Sequence, residues 1–356
     1  MYDAMTGEIY SMPTVHKDGQ TILTWTCGDD DSLLLRLGDT KSKMPEYICR
    51  KEPQIIKELC DINTFKLHED NVLLLDCARF SIDGGEIQEK DEILRAENKI
   101  RKRLGFFERT GMDLQPYATD EKQTHTVTLY YEFYSEINAD VRLGIEDPQL
   151  RRISLNGSEA CNKETGWFVD KSIRVIELPD IKKGKNELII ETQYDQKMFL
   201  ENIYLMGDFA VTADRVITAP IKKLSFGDIT KQGLPYYTGS IDYIFETDMD
   251  TDGEYYLRVP EFSAPVLGVS VDAEHKGIIA YSPYRIFLGH LKKGKHKVIV
   301  TMYGNRFNAF GMLHNANENY IWYGNSSYRT VGKEWTYDYM LRCSGIIGDI
   351  VIEKAD

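Results

Sequence analysis

The segment Ile181-Lys182-Lys183-Gly184-Lys185-Asn186-Glu187-Leu188-Ile189-Ile190 returns further along the chain as Leu291-Lys292-Lys293-Gly294-Lys295-His296-Lys297-Val298-Ile299-Val300. Upstream landmarks recur in the same order: Tyr131-Glu132-Phe133 against Tyr243-Ile244-Phe245, and Ile153-Ser154-Leu155-Asn156-Gly157 against Val269-Ser270-Val271-Asp272-Ala273. A spacing of roughly 110 residues is that of a whole domain, since solenoid repeats recur every 20 to 50 residues or so. The chain is therefore expected to carry two copies of one β-domain. In 356 residues, two copies leave little room for a separate catalytic domain.

The repeated regions read as short strands with alternating apolar positions, as in Val127, Leu129, Tyr131 and Phe133, separated by Gly, Asn and Pro turns. With 22 Tyr, 14 Phe and 42% hydrophobic residues the composition is that of a folded, β-rich chain. This predicts an all-β fold of tandem antiparallel jelly-roll sandwiches, with one or two short helices, one of them amphipathic over 91–105. Four regions are expected. Residues 1–40 hold the terminal strands of a β-domain, with a hairpin at Asp18-Gly19, and 41–66 form a linker, partly helical around Ile55, Ile56 and Leu59. Residues 67–215 form a first sandwich and 216–356 a second.

A net charge of -13 opposes a nucleic-acid partner, because phosphate recognition requires a basic stripe. It opposes an anionic membrane for the same reason. Cys27, Cys49, Cys60, Cys77, Cys161 and Cys343 form no CxxC pair, so the spacing suggests neither a zinc site nor a dithiol. Buried free thiols are expected. With no apolar leader after Met1 and no membrane-length apolar run, a cytoplasmic location is expected.

Four strings carry a resemblance: Trp167-Phe168-Val169-Asp170, the run Glu201 to Phe209, the run Gln232 to Gly239, and the run Gly304 to Asn315. They resemble the galactose-binding-like jelly rolls of large bacterial glycoside hydrolases, in particular the C-terminal region of proteins similar to family 2 sugar-binding domains and family 106 α-L-rhamnosidases. The resemblance covers most of the chain from about residue 70 and implies an accessory, sugar-binding role. It departs in one respect: those enzymes also carry a (β/α) barrel, which needs about 250 residues and is not found within this sequence.

Residues 305–315 suit sugars on chemical grounds. Asn305, Arg306, Asn308 and Asn315 offer planar donor and acceptor groups for vicinal hydroxyls, and His314 can donate or accept. Tyr320, Trp322, Tyr323 and Trp335 offer faces for the C–H side of a pyranose, and Tyr237 joins them as a candidate. The plainer reading is that the asparagines cap turns and the aromatics belong to a core. If one copy binds, the second sandwich is the expected one.

Asp248-Met249-Asp250-Thr251-Asp252-Gly253 imitates the start of an EF-hand, but Val259 stands where a bidentate Glu is needed, so an acidic hairpin turn is expected. No cofactor is expected; a structural calcium stays open, with no ligands that can be located. Asp170, Glu201, Asp208 and Glu318 have no spacing that marks a glycosidase acid and its partner. Three functions follow in order: a non-catalytic carbohydrate-binding module packed on a catalytic barrel, a glycoside hydrolase with its site between the sandwiches, and a purely structural module.

Overall fold

The computed structural model describes residues 1–3, 7–25, 32–38, 44–47, 53–109, 123–317, 319 and 324–355. In chain order, β1 (Thr14–Lys17), β2 (Gln20–Leu23), β3 (Gln54–Leu59) and β4 (Thr64–Leu67) come first. Next are β5 (Asn71–Leu75), β6 (Cys77–Ile82), β7 (Gln88–Glu92) and helix α1 (Ile93–Arg103). Then follow β8 (His125–Ser135), β9 (Arg142–Glu146), β10 (Arg151–Leu155), β11 (Ser158–Glu159) and β12 (Glu164–Phe168). After these stand β13 (Asp170–Glu177), β14 (Gly184–Tyr194), β15 (Ile203–Gly207), β16 (Ala210–Val211) and β17 (Val216–Thr218). The remainder is β18 (Ile241–Met249), β19 (Gly253–Arg258), β20 (Phe262–Ser263), β21 (Leu267–Val271), β22 (Glu274–Ile279), β23 (Arg285–Leu291) and β24 (Gly294–Met302). A short helix α2 (Phe307–Phe310) and strands β25 (Gly345–Ile346) and β26 (Ile350–Lys354) close the chain. Strand accounts for 47% and helix for 8%, so the fold is all-β.

The chain divides into two compact units, each discontinuous in sequence. Unit 1 comprises Met1–Phe65, Asp242–Tyr303 and Ile346–Asp356, and unit 2 comprises Lys66–Ile241 and Gly304–Gly345. The expected break at residue 216 thus falls inside unit 2, and residues 304–345 belong with the first sandwich rather than the second.

In unit 2 one sheet runs β11-β10-β14-β8, with β6 and β17 also on β8, and the other runs β12-β13-β9-β15-β5. The long β8 and β14 pair over their whole length, setting Leu188 opposite Tyr131 and Ile190 opposite Leu129. All four side chains are buried, so each cross-strand row adds to one core. Every residue of β5 and of β15 is buried, as strands covered on both faces must be. The second cover includes Ala309, Phe310 and Leu313, from the described part of residues 304–345. Ala309 and Leu313 belong to the core, and Phe310 stacks on Tyr204 of β15 at 4.9 Å and lies 5.6 Å from Phe168.

Unit 1 has one sheet of order β22-β21-β24-β18-β4 and another of order β23-β19-β26-β3. In unit 2 the corresponding orders are β11-β10-β14-β8-β6 and β13-β9-β15-β5. The matching strands follow one another along the chain in the same sequence in both units. The match extends to single hydrogen bonds. Asn156-Gly157 and Asp272-Ala273 each form a two-residue turn at positive φ, the geometry that suits a twisted hairpin. Asn156 Oδ1 accepts from Glu187 N at 3.0 Å, and Asp272 Oδ1 accepts from Lys297 N at 2.9 Å.

Several local expectations need correction. The segment expected to be a partly helical linker supplies β3, which pairs antiparallel with β26, Leu59 opposite Ile350. Three apolar residues in six cannot separate a helix stripe from a strand, and the partner strand that decides lies some 290 positions away. The acidic stretch after Asp248 is no hairpin, because β18 and β19 lie in different sheets. Cys60, Cys161 and Cys343 are exposed, not buried, whereas Cys27 and Cys49 lie outside the described residues. The Asp18-Gly19 hairpin and the helix within 91–105 stand as expected.

Helix α1 opens on Glu92, whose carboxylate accepts from the amides of Leu94 and Arg95 at 3.0 and 3.1 Å. Its inner face buries two charges among the apolar Ile93, Ala96 and Ile100. Glu97 accepts from Tyr194 Oη at 3.0 Å and pairs with Arg109 at 3.4 Å and Arg329 at 3.5 Å. Arg101 donates to Tyr194 Oη at 3.0 Å and to the carbonyl of Gln196. Nearby, burial and the like charges of Glu97 and Glu146 push the Glu201 carboxyl up to about 7, against the pull of Arg329 and Arg109.

A fragment of residues 216–356 lacks β3, the partner of β26, and β4, the partner of β18; it is expected to show no cooperative thermal transition by circular dichroism, in contrast to the full chain. Glu201 has a folded-state pKa raised from the ordinary 4.5, so it favours the fold below about pH 4.5 and loses that contribution as pH rises to about 7. Glu201→Gln is therefore expected to be more stable than the parent at pH 8, by on the order of 2 kcal/mol, and to match it at pH 4 in urea titrations.

Candidate functional site

A cleft of about 560 Å³ opens on unit 2, lined by the chain before β5 (His68, Glu69, Asp70), the start of β9 (Arg142), the end of β12 (Trp167, Phe168, Val169) and Arg306. Its position follows from local structure. β12 pairs with β13 through two register shifts, between Glu164 and Gly166 and between Trp167 and Phe168. Such bulges twist a strand and re-aim its side chains. Phe168 is buried against Tyr204, while Trp167 is 54% exposed.

Two further backbone features mark this place. Val169 and Arg306 both stand at positive φ, 60° and 64°. A β-branched residue there is a steric outlier, held only when its surroundings over-determine it. Arg306 holds both carboxylate oxygens of Glu69 with its two terminal nitrogens, and Arg142 pairs with Asp70. Tyr237, buried beneath, accepts from the amides of His68 and Glu69 at 3.0 and 3.4 Å and donates to the carbonyl of Ser240 at 2.7 Å. Burial pushes its phenol up to about 12, which keeps the hydroxyl a donor. Glycines permit this packing: a Cβ on Gly239 would come within 2.9 Å of the Glu69 carboxyl, and one on Gly304 would lie 1.8 Å from the carbonyl oxygen of Thr238.

Of the residues singled out in the sequence, Arg306 and Tyr237 are thus brought together, and both act on Glu69. Asn305 is exposed, and its side-chain Oδ1 accepts from Phe307 N. Asn308 is buried with both ends of its amide on the backbone of Arg342, at 2.8 Å each. Asn315 is buried and accepts from Asn317 N. Trp335 lies in a stack, with the guanidinium of Arg95 4.0 Å from the centre of its ring, Tyr337 edge-on and His314 behind. Trp322, Tyr323, Tyr320 and Glu318 lie outside the described residues. Among the described residues, Asn308, Asn315 and Trp335 are thus engaged with the protein's own groups. His68, Glu69, Asp70 and Arg142 were not singled out in the sequence: they are common polar residues, and only the return of the chain at Arg306 gives them a shared cleft.

His314 sits in a second cluster at the opposite end of β5. Its Nδ1 donates to the carbonyl of Thr336 at 2.8 Å, and its Nε2 lies 3.1 Å from Oδ2 of Asp76. The other oxygen of Asp76 accepts from Tyr339 Oη, and Arg215 approaches it at 3.7 Å. Cys77 adjoins this cluster, and burial, followed by the charge of Asp76, drives its thiol far above the ordinary range.

Among the acids considered for catalysis, Asp170 and Asp208 are exposed, and none of Asp170, Glu201 and Asp208 lines the cleft. Asp170 is held below the ordinary carboxylate range by the amide and hydroxyl of Ser172.

No protein-family model matches the chain. No curated protein matches it either. Among solved structures it is similar to a rhamnosidase from Novosphingobium sp. PP1Y, with 14% identity and a TM-score of 0.29, covering 72% of this chain and 26% of that one. A GH2 beta-galacturonidase from Eisenbergiella tayi matches with 12% identity and a TM-score of 0.23, over 68% of this chain and 38% of its own. A Beta-D-Mannosidase from Dictyoglomus thermophilum matches with 12% identity and a TM-score of 0.28, over 65% and 31%. The chain spans about a quarter to two fifths of the length of these glycoside hydrolases.

Proposed function

We propose that unit 2 is a non-catalytic carbohydrate-binding module that holds its ligand in the Trp167 cleft. The observation that carries this reading is the exposed indole of Trp167 beside two arginine–carboxylate pairs, on backbone strained at Val169 and Arg306. A pyranose has an apolar C–H face and an equatorial fringe of hydroxyls. The indole serves the first, and the Glu69–Arg306 and Asp70–Arg142 pairs, with acceptors and donors already fixed in place, serve the second. Preorganised groups lose little side-chain entropy on binding. One stacked ring and a few polar forks, set against the cost of association, correspond to a dissociation constant of about 10 μM to 1 mM.

This reading moves the binding site from the second sandwich to the first, because the segment that carries Arg306 belongs to unit 2. Glu69 and Asp70 are each tied to an arginine, an arrangement that suits grasping a ligand better than delivering a proton. We further infer that the two units descend from one copied sandwich, which the common strand order and the paired Asn156 and Asp272 turns support. In a larger protein such a module would present sugar to a neighbouring catalytic barrel.

Calorimetric titration with rhamnose-, galactose- and glucuronate-containing oligosaccharides tests the assignment. At least one is expected to bind in the stated range, with Trp167→Ala weakening it tenfold or more and Asn305→Ala changing it less than twofold. Binding that is unchanged in Trp167→Ala, or absent with every sugar, would rule the cleft out.

A further inference from the structure

We propose that Asp76, Cys77 and His314 of unit 2 form a zinc site. Their ligand atoms, a carboxylate oxygen, a thiol sulfur and an imidazole nitrogen, all lie within 4.8 Å of one another. Asp76 and Cys77 stand at the step from β5 to β6, and His314 arrives from the segment after α2.

Nδ1 of His314 donates to the carbonyl oxygen of Thr336, which can only accept, so Nε2 is the ring nitrogen turned to Oδ2 of Asp76, at 3.1 Å. Without metal a proton on Nε2 joins the two as an ion pair, and a zinc ion would take that proton's place between the same two atoms. Two donors bound about 2.0 to 2.1 Å from one tetrahedral zinc stand roughly 3.3 Å apart, so the observed separation serves a shared ion with little movement.

The surroundings are those of a ligand set already oriented. An imidazole that binds metal through one nitrogen usually donates the other to a carbonyl or carboxylate, as His314 does. Oδ1 of Asp76 accepts from Tyr339 Oη, which leaves Oδ2 to face inward. Trp335 stacks on the imidazole, ring centroids 5.8 Å apart, and fixes its plane. A cavity of about 20 Å³ adjoins the group; Asp76, Glu92, His314 and Asn315 line it and Cys77 does not, so it has room for the water on the open position beside the ion.

Zinc binding would take Cys77 to its thiolate, the thiol proton passing to solvent as the metal–sulfur bond forms. A mixed oxygen, nitrogen and sulfur set selects zinc over calcium or magnesium, which take oxygen. Three protein ligands leave the fourth tetrahedral position to water.

The test uses the full chain, stripped with chelator and titrated with Zn²⁺ by calorimetry and with Co²⁺ by absorption spectroscopy. One equivalent is expected to bind, with a thiolate-to-cobalt charge-transfer band and a raised thermal midpoint. Cys77→Ser is expected to abolish the band, and His314→Gln to weaken affinity at least tenfold. Cys60→Ser is the control, since Glu58, Cys60 and Asp349 form an exposed group of similar spacing, and it is expected to change neither readout. X-ray absorption at the zinc edge of the parent protein gives an answer that no variant's folding can obscure: one sulfur scatterer among nitrogen and oxygen supports the site. Absence of stoichiometric uptake, absence of sulfur from the shell, or a band that survives Cys77→Ser and vanishes in Cys60→Ser would overturn it.

Discussion

A sheet strand buried on both faces needs two covers, and in unit 2 the second cover over β5 and β15 includes Ala309, Phe310 and Leu313 from residues 304–345. The fully buried β5 and β15, the Phe310–Tyr204 stack and the core positions of Ala309 and Leu313 all record this. Apolar burial on this scale is what fixes the path of a segment with almost no regular structure of its own. The polar contacts then follow. Once Phe310 is seated, Arg306 is delivered to Glu69 on one side and His314 to Asp76 on the other.

Chain connectivity explains why unit 2 can borrow that segment. Both sandwiches use the same strand order, but unit 1 takes its first strands from before the two stretches of unit 2, β19 to β24 from between them and β26 from after them. Its β24 and β26 correspond to β14 and β15, and the connection between them in unit 1 is the segment 304–345 that unit 2 recruits. In unit 2 the corresponding connection, residues 195–202, is short. It carries Gln196 and Met198, whose carbonyls accept from Arg101 and Arg109 beneath α1. The two sandwiches thus differ most in what fills the gap between two strands of matching position.

The architecture was legible in the sequence because it rests on local periodicity. Val127, Leu129, Tyr131 and Phe133 alternate in the sequence and are buried together, and the LysLysGlyLys turns open β14 and β24 as the duplication implies. The membership of residues 54–59 was not legible, since an exposed edge strand with Ile55 and Ile56 facing solvent has no pattern apart from its distant partner. The site was half legible. Arg306 and Tyr237 were picked out for their chemistry, and they meet at Glu69. Asn308, His314, Asn315 and Trp335 have the same chemistry, yet burial of the first three and the ring contacts of the half-buried Trp335 commit them to the protein's own groups, and such contacts of a loop are decided by tertiary structure that no local window contains.

β5 gives these observations a common frame. His68, Glu69 and Asp70 immediately precede it and enter the cleft, whereas Asp76 and Cys77 immediately follow it and meet His314. An extended strand of that length separates its two ends by on the order of 20 Å and, being buried throughout, has little freedom to change that separation. The segment that supplies Arg306 to one end and His314 to the other is therefore pinned at both ends by charged contacts and in its middle by Phe310. Contacts that hold His314 in place also limit how far Arg306 can swing, and through the Arg306–Glu69 pair they limit the shape of the Trp167 cleft. A cleft built on strained backbone at Val169 and Arg306 depends on such external restraint, because strain persists only where the surrounding structure leaves the chain no cheaper conformation.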